Sequence, residues 1–208
     1  MYTSPYIGRT GIVDAVIRSK IPLIKSGQLS DPLERRFLFT GPPGVAKTDL
    51  ARSLALEIAG HPLNVEFRMG TQINVDLVRD WLRAAPYRPL FGDFFVKIMD
   101  EVNTVPPAAI TEVRQYFDEL PHHVVVIATT NLAVAELSAP LQTRFMVYKF
   151  QGVLTSQVAA FLQTRFPEVP AAVLAEIATQ TAGNVRAALT DAASHRDVLR
   201  FQQQQLAA

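Results

Sequence analysis

The chain has 208 residues, in which 20 Lys and Arg oppose 19 Asp and Glu for a formal net charge of +1. This balance argues against a strongly basic nucleic-acid-binding coat and against an acidic tail. The absence of cysteine excludes disulfides, thiolate zinc ligands and a cysteine nucleophile. Because 49% of the residues are hydrophobic but no stretch approaches about 18 uninterrupted apolar residues, we expect a soluble cytoplasmic protein with no membrane segment.

Apolar, strand-like segments alternate with helical patterns through about residue 150. Helical periodicity predicts amphipathic helices over Thr48–Ala59 and Pro107–Leu120. Near-continuous apolar strands separated by helices predict an α/β fold with a parallel sheet covered on both faces. The predicted strands, each rich in Val, Ile or Phe, are Arg36–Thr40, Val65–Met69, Phe94–Met99, Val124–Thr129 and Met146–Phe150.

Beyond residue 150 the pattern is helical only. It predicts three helices, over Thr155–Phe166, Ala171–Thr181 and from near Asn184 onward. We therefore predict two domains, an α/β nucleotide-binding domain over residues 1–150 and a small helical domain over residues 151–208.

A segment with two glycines follows the first predicted strand and opens a helix. The strand, loop and helix together are the context that a phosphate loop requires. Small residues let consecutive backbone N–H groups surround an oxyanion, and the helix N-terminus adds its dipole. We expect Lys47 to reach the β- and γ-phosphates, the Thr48 hydroxyl to bind Mg²⁺, and Asp49 to lie at the same site. The segment reads Gly41-Pro42-Pro43-Gly44-Val45-Ala46-Lys47-Thr48.

Ala46 occupies a position at which glycine is usual in such loops. A Cβ penalises the left-handed region of backbone space, so an alanine is tolerated there if the backbone keeps φ negative. We therefore predict a negative φ at Ala46.

Polar residues follow two other predicted strands. Asp100 ends the Phe94–Met99 strand, where it can hold Mg²⁺ through water, and Glu101 can act as general base towards the attacking water. Asn131 follows the Val124–Thr129 strand and is expected in the same crevice, because ligands bind outside the carboxyl ends of parallel strands. For Asn131 alone, a simple turn residue is the alternative interpretation.

Two arginines complete the set of candidate phosphate ligands. Arg144 lies in the segment Pro140–Phe145, which precedes the last predicted strand, and Arg186 opens the last helix on the face opposite Val185 and Leu189. Arginine offers a planar fork of donors that matches phosphoryl oxygens, although each of the two also fits a solvated surface residue.

With these residues collected in this order, the chain resembles AAA+ ATPases over nearly its full length. The resemblance implies ATP and Mg²⁺ as cofactors, a five-stranded parallel sheet with the phosphate-loop strand beside the Asn131 strand, and a helical lid. It also implies a role for each candidate residue. Lys47 and Thr48 match the first nucleotide motif, Asp100 and Glu101 the second, Asn131 sensor 1, Arg186 sensor 2, Arg144 an arginine finger that reaches into a neighbouring subunit, and Ile7 and Gly8 the adenine pocket.

Within that family the chain is similar to the clamp-loader branch, which includes bacterial DNA polymerase III gamma/tau and replication factor C. The similarity rests on Tyr87-Arg88-Pro89, on Pro140–Phe145 and on Gly183–Leu189. It implies a link to DNA replication or repair and an oligomer of identical or different AAA+ subunits, with DNA and a sliding clamp or another replication protein as partners. Two features depart from this branch: the four-cysteine zinc module of gamma/tau is missing, and the sequence stops after the expected lid, where clamp loaders carry a helical collar.

Three alternatives remain open. Val45-Ala46-Lys47 and the residues after Asp100 are similar to MoxR-type remodelling ATPases, but Leu120–His123 leaves no room for the hairpin that MoxR-type proteins insert there. The chain can also be an ATP-binding adaptor with little turnover, or a small-molecule kinase with the same phosphate loop.

Three histidines in predicted loops, His61, His122 and His123, have no partner at metal-ligand spacing. We predict that they are solvated. Trp81, in a helical stretch with Val78 and Leu82, is predicted to be a buried anchor.

Overall fold

The structure, a computed structural model, describes residues 5–29 and 31–206, with the backbone alone for Leu206. These residues form two units. The sheet unit contains Val13–Gly41 and Lys47–Lys149; the helical unit contains the described residues up to Ile12, Pro42–Ala46, and the chain from Phe150 onward. The predicted domains also include residues 1–4, 30 and 207–208, which lie outside the described residues, and a boundary at residue 150 stays a prediction.

The sheet unit is built on five parallel strands in the order β2-β3-β4-β1-β5. This confirms the predicted α/β fold, including the position of β1 beside β4, where Phe39 pairs with Thr129. Every residue of β1 and β4 is buried, as expected for strands with both faces covered. The strands are β1 (Arg36–Thr40), β2 (Val65–Met69), β3 (Phe95–Asp100), β4 (Val124–Thr130) and β5 (Met146–Lys149).

The predicted helices of the sheet unit are present, with ends that differ by one or two residues. The stripe of α2 that was expected to be buried, Leu50, Leu54 and Ile58, lies in the core. Trp81 is also buried, as predicted, and its ring lies 5.4 Å from that of Tyr116. The helices are α1 (Gly8–Lys25, shared with the helical unit), α2 (Lys47–Ala59), α3 (Val75–Ala84), α4 (Pro107–Asp118) and the short α5 (Ala139–Gln142).

Helix α1 was not predicted. Its buried hydrophobic residues are spaced four, four and three apart, which is the spacing of one helix face, but Pro22 interrupts the pattern. A proline inside a helix is uncommon, and it hid this helix from the sequence analysis. The buried stripe is Val13, Ile17, Ile21 and Ile24.

The helical unit contains the three predicted helices, α6 (Thr155–Arg165), α7 (Ala171–Gln180) and α8 (Val185–Leu206). They enclose a small core of their own, to which Val158, Leu174 and Ala188 contribute fully buried side chains. Among the described residues, no helix is both long enough and apolar enough to cross a membrane.

Candidate functional site

The carboxyl edge of the sheet brings Lys47 and Asn131 together. Strands β1 and β4 are parallel neighbours, so the residues that follow them, Gly41 and Asn131, emerge at the same edge. Lys47, the first residue of α2, is buried at this edge, and its Nζ donates hydrogen bonds to the Gly41 carbonyl (2.7 Å) and to Asn131 Oδ1 (2.9 Å). A cation and an amide therefore meet at one point, and Lys47 is the residue that follows the glycine-bearing loop in the chain.

Thr48 and Asp100 meet at the same edge. The Thr48 hydroxyl donates to Asp100 Oδ1 at 2.8 Å, and Thr129 Oγ1 donates to the same oxygen at 2.6 Å. Asp100 is only 8% exposed, and these two hydroxyls hold its carboxylate in place. A hydroxyl and a carboxylate are hard oxygen ligands of the kind that Mg²⁺ takes together with phosphate oxygens and water, so this donor set fits that ion.

Glu101 has a left-handed backbone with φ of 52°, which is rare for a residue other than glycine. Its N–H donates to Thr129 Oγ1 (3.1 Å), and its carbonyl accepts from Thr104 Oγ1 (2.8 Å). A Cβ on Gly70 would collide with the same carbonyl oxygen. Such a conformation costs about 1–3 kcal/mol and persists where the surroundings fix it, as they do here.

Thr129 is a site residue that the sequence analysis missed. It contacts both the Asp100 carboxylate and the Glu101 backbone, and it is 2% exposed. The sequence alone does not mark it, because its position beside Asp100 depends on the strand register in which Met99 pairs with Ala128.

In the helical unit, the loop Pro42–Ala46 lies against the start of α8. Gly44 has φ of 77°, and a Cβ on it would collide with the side chain of Asn184, so the close approach requires glycine. The Gly44 carbonyl accepts a hydrogen bond from the Arg186 N–H (3.3 Å), and Asn184 Oδ1 caps α8 by accepting from the Ala187 N–H (3.1 Å). The Arg186 side chain is exposed.

The backbone of Ala46 does not have the expected negative φ. Its φ is 63°, so that prediction is wrong. The bend that leads from the loop into α2 uses a left-handed residue at this position, and alanine adopts it at a cost of about 1–2 kcal/mol.

Ile7 and Gly8 lie in the helical unit. Ile7 packs against its core, and a Cβ on Gly8 would reach ordinary contact with Val153. Two residues further on, the Thr10 hydroxyl donates to the Val45 carbonyl of the loop at 2.8 Å. The N-terminal segment thus contacts the phosphate loop through Thr10, which was not among the predicted residues; the adenine-pocket role of Ile7 and Gly8 stays a prediction.

Arg144 lies apart from the other candidates in the sheet unit. It lies two residues before β5, which runs parallel to β1, so it lies at the amino edge of the sheet. One strand length, about 13 Å for four residue steps, separates that edge from the phosphate-loop end. Arg144 Nε and Nη2 each donate to the Asp118 carboxylate at 3.2 Å, and Nη1 donates to the Pro140 carbonyl at 3.3 Å.

The histidines differ from one another in exposure. His122 is exposed, but His123 is 8% exposed and its ring lies 6.1 Å from that of Phe95, so the prediction that it is solvated is wrong. It immediately precedes β4 and is drawn into the packing at the start of that strand. Within the described part of the chain, no cluster of three or more His, Cys, Asp or Glu side chains could hold a metal ion.

Comparison with known families and proteins gives a consistent result. The family described as ATPase family associated with various cellular activities (AAA) matches residues 37–153. The replication factor C small subunit of Methanocella arvoryzae is 29% identical over 140 residues, which are 65% of this chain and 42% of that protein. The corresponding subunit of Methanosarcina mazei is 30% identical over 120 residues, 55% of this chain and 35% of that protein.

The replication factor C large subunit of Thermococcus kodakarensis is 23% identical over 165 residues, 77% of this chain and 32% of that protein. This chain therefore spans less than half the length of these replication factor C subunits.

Solved structures of RuvB from Thermotoga maritima have the same fold. The structure titled RuvB Holliday junction branch migration motor aligns with a TM-score of 0.69 at 20% identity and covers 91% of this chain and 63% of that chain. A mutant of the same protein aligns with a TM-score of 0.73 at 18% identity and covers 95% and 66%. At this identity the likeness concerns the fold alone.

Proposed function

This chain belongs to the ATPase family associated with various cellular activities (AAA), and on that premise we propose that it binds ATP with Mg²⁺ and hydrolyses it as the nucleotide-binding module of a clamp-loader-like assembly. One observation carries the proposal. Lys47 and Thr48 open the same helix, and their side chains bond directly to Asn131 and Asp100 at the carboxyl edge of the sheet. Ammonium, hydroxyl, carboxylate and amide are thereby grouped at one edge of the sheet, and the helix that carries two of them follows a glycine-bearing loop in the chain, as phosphoryl transfer requires.

Each of these groups has one task in the proposed reaction. The Lys47 ammonium and the N–H groups of the loop bind the phosphates, and Thr48 and Asp100 hold Mg²⁺, which when bound neutralises phosphate charge. Glu101 takes the proton of the attacking water, and Asn131 orients that water. The bonds that fix the Glu101 backbone support this assignment, because a general base works only when it is held in position.

Arg186 and Arg144 act from different sides in this proposal. The Arg186 N–H bonds to Gly44 of the loop, which supports a role for its exposed guanidinium on the phosphates of the same chain. Arg144 lies at the opposite edge of the sheet from Lys47, and this supports a role on the nucleotide of a neighbouring subunit. The bond pair to Asp118 orients the Arg144 guanidinium before a neighbour arrives.

The proposed partners follow from the relatives. Similarity to both the small and the large subunit of replication factor C supports a hetero-oligomer of AAA subunits. We extend the proposal to DNA and a sliding clamp as the macromolecules on which such an assembly acts.

Turnover measured against protein concentration tests the proposal. A finger donated by a neighbour makes specific ATPase activity rise with concentration, and Arg144→Ala should bind ATP normally while losing about 10³-fold or more in turnover. Glu101→Gln should bind ATP and lose about 10²–10⁴-fold in turnover. The matched control is Arg165→Ala, an exposed arginine of α6, which should turn over like the wild type.

Three results would each contradict part of this proposal. Full activity in Arg144→Ala removes the finger role. If the protein binds ATP but shows no turnover at any protein concentration, alone or with DNA, it is a nucleotide-binding adaptor and not an ATPase. Phosphorylation of a small molecule at a rate independent of protein concentration identifies a kinase.

A further inference from the structure

A cavity in the sheet unit lies at the amino edge of the sheet, at the opposite end of the strands from Lys47 and Asn131. Its volume is about 420 Å³, which is within the usual range for small-molecule sites. Its walls come from the end of α1, from the segment that leads into β3 and from the segment that leads into β4. The polar side chains on these walls are Lys25, Arg88, Asp93, His122 and His123.

The surroundings of this cavity are positively charged. Two cations, Lys25 and Arg88, face one carboxylate, Asp93. A third cation, Arg35, lies behind the histidine segment, because its Nη1 donates to the carbonyls of Pro121 (2.5 Å) and Val124 (3.0 Å), which flank that segment. Asp31 attracts Arg35 by charge, so these three cations are opposed by two carboxylates, Asp93 and Asp31, and the remaining positive charge favours an anion.

Arg35 is a buried cation with unused donors. It is 1% exposed, and its Nε and Nη2 have no hydrogen-bond partner among the described residues. Burial lowers the pKa of its guanidinium, and Asp31 offsets this effect by charge attraction. Arg35 does not line the cavity, so its buried positive charge attracts a bound anion without direct contact.

His123 points to the same conclusion from the cavity wall. It is 8% exposed, and its buried Nε2 has no hydrogen-bond partner within the described chain. Burial lowers the pKa of the His123 imidazole, and the positive charges of Arg88 and Arg35 and the nearby His122 lower this pKa further. A hydrogen bond to the backbone of Tyr87 acts in the opposite direction. A bound anion would reverse this electrostatic environment and favour the imidazolium.

We propose that this cavity, which we call the amino-edge pocket (Lys25, Arg88, His123 and the Arg35 behind them), binds a phosphate group. Arg88 and Lys25 supply exposed donors, and His123 lies in the wall, where its ring attracts an anion by charge once it is protonated. The volume leaves space for a phosphate ester of nucleotide size as well as for free phosphate. The two sources share the same recognition chemistry and are separated by experiment.

The imidazole signals of the full chain provide the test. Only four histidines are present, so the His123 ring is assigned in the NMR spectrum by comparison with His123→Gln. Inorganic phosphate is titrated against chloride at equal ionic strength. We expect a saturable shift of the His123 signals and a higher His123 pKa in phosphate, with His61 and His195 unmoved.

Two variants isolate the site. Arg88→Gln, at an exposed loop position where folding is preserved, should weaken phosphate binding about tenfold, which corresponds to the loss of one charge-assisted contact. Arg200→Gln, an exposed arginine of α8 in the helical unit, is the matched control and should bind like the wild type. Lys47→Ala should leave the His123 response intact, because it alters only the phosphate loop.

A 5′-phosphorylated trinucleotide distinguishes the sources. Binding tighter than that of inorganic phosphate identifies a nucleic-acid end as the ligand, and equal or weaker binding identifies free phosphate. The proposal is overturned if the His123 signals follow ionic strength alone, or if Arg88→Gln responds to phosphate like the wild type.

Discussion

Replacing Ala46 with glycine should stabilise the protein, although glycine normally destabilises. Ala46 has φ of 63°, and the left-handed conformation costs an alanine about 1–2 kcal/mol. Glycine adopts it freely but gains entropy in the unfolded chain, which costs about 0.4–1 kcal/mol. The difference is a gain of about 0.5–1 kcal/mol, which for a chain of this length raises Tm by about 2 °C.

Urea and thermal unfolding followed by circular dichroism measure this gain. The matched control is Ala175→Gly, at an exposed position inside α7 of the same helical unit, where the substitution should cost about 1 kcal/mol. The same chemical change should therefore have opposite signs at the two positions. If Ala46→Gly destabilises as much as Ala175→Gly does, residue 46 is not left-handed and the account of the loop is wrong.

Three further predictions concern the sheet unit. Thr129→Val should lower ATP turnover at least about tenfold and change ATP affinity little. The substitution removes a hydrogen bond to Asp100 and another to the backbone of the general base Glu101. A wild-type rate of turnover at saturating ATP would contradict this. Asp118→Asn should change the free energy of unfolding by less than about 1 kcal/mol, since its ion pair with Arg144 lies at the surface. It should nevertheless lower the ATP turnover of the assembled protein, because Asp118 orients the Arg144 guanidinium. An unchanged turnover rate would refute this positioning role. Burial acts to raise the pKa of Glu66, but hydrogen bonds from Lys97 and a neighbouring indole outweigh it and hold that pKa below its ordinary value. Glu66 therefore stabilises the fold at a pH above its unfolded pKa, and this contribution is lost as the pH falls. In urea titrations between neutral pH and about pH 3, the free energy of unfolding of Glu66→Gln should fall less steeply with decreasing pH than that of the wild type. Equal slopes of this free energy against pH in the two proteins would contradict the sign of the effect.

The regular parts of the fold were predictable because their signals are local. Strands β1 and β2 follow from short runs of β-favouring residues, and α2 follows from the spacing of Leu50, Leu54 and Ile58. The phosphate loop was recognisable because its chemistry requires small residues, a lysine and a hydroxyl at fixed spacing between a strand and a helix.

What was not predicted depends on tertiary contacts or on a conflict between signals. Pro22 masked an otherwise regular helix, and the left-handed backbone of Ala46 is set by the bend into α2 rather than by alanine's own preference. Thr129 gains its role only when strand register places it beside Asp100, and His123 is buried because of packing at the start of β4. None of these follows from one-dimensional periodicity.

Calorimetric titration of the chain with ATP, first in the presence of Mg²⁺ and then in excess EDTA, tests most directly whether the residues around Lys47 form an ATP site. We expect saturable binding of one ATP per chain, weakened about tenfold or more by Lys47→Ala and weakened again when Mg²⁺ is removed. Absence of saturable ATP binding by the wild-type chain, or equal affinity in Lys47→Ala, would contradict this expectation.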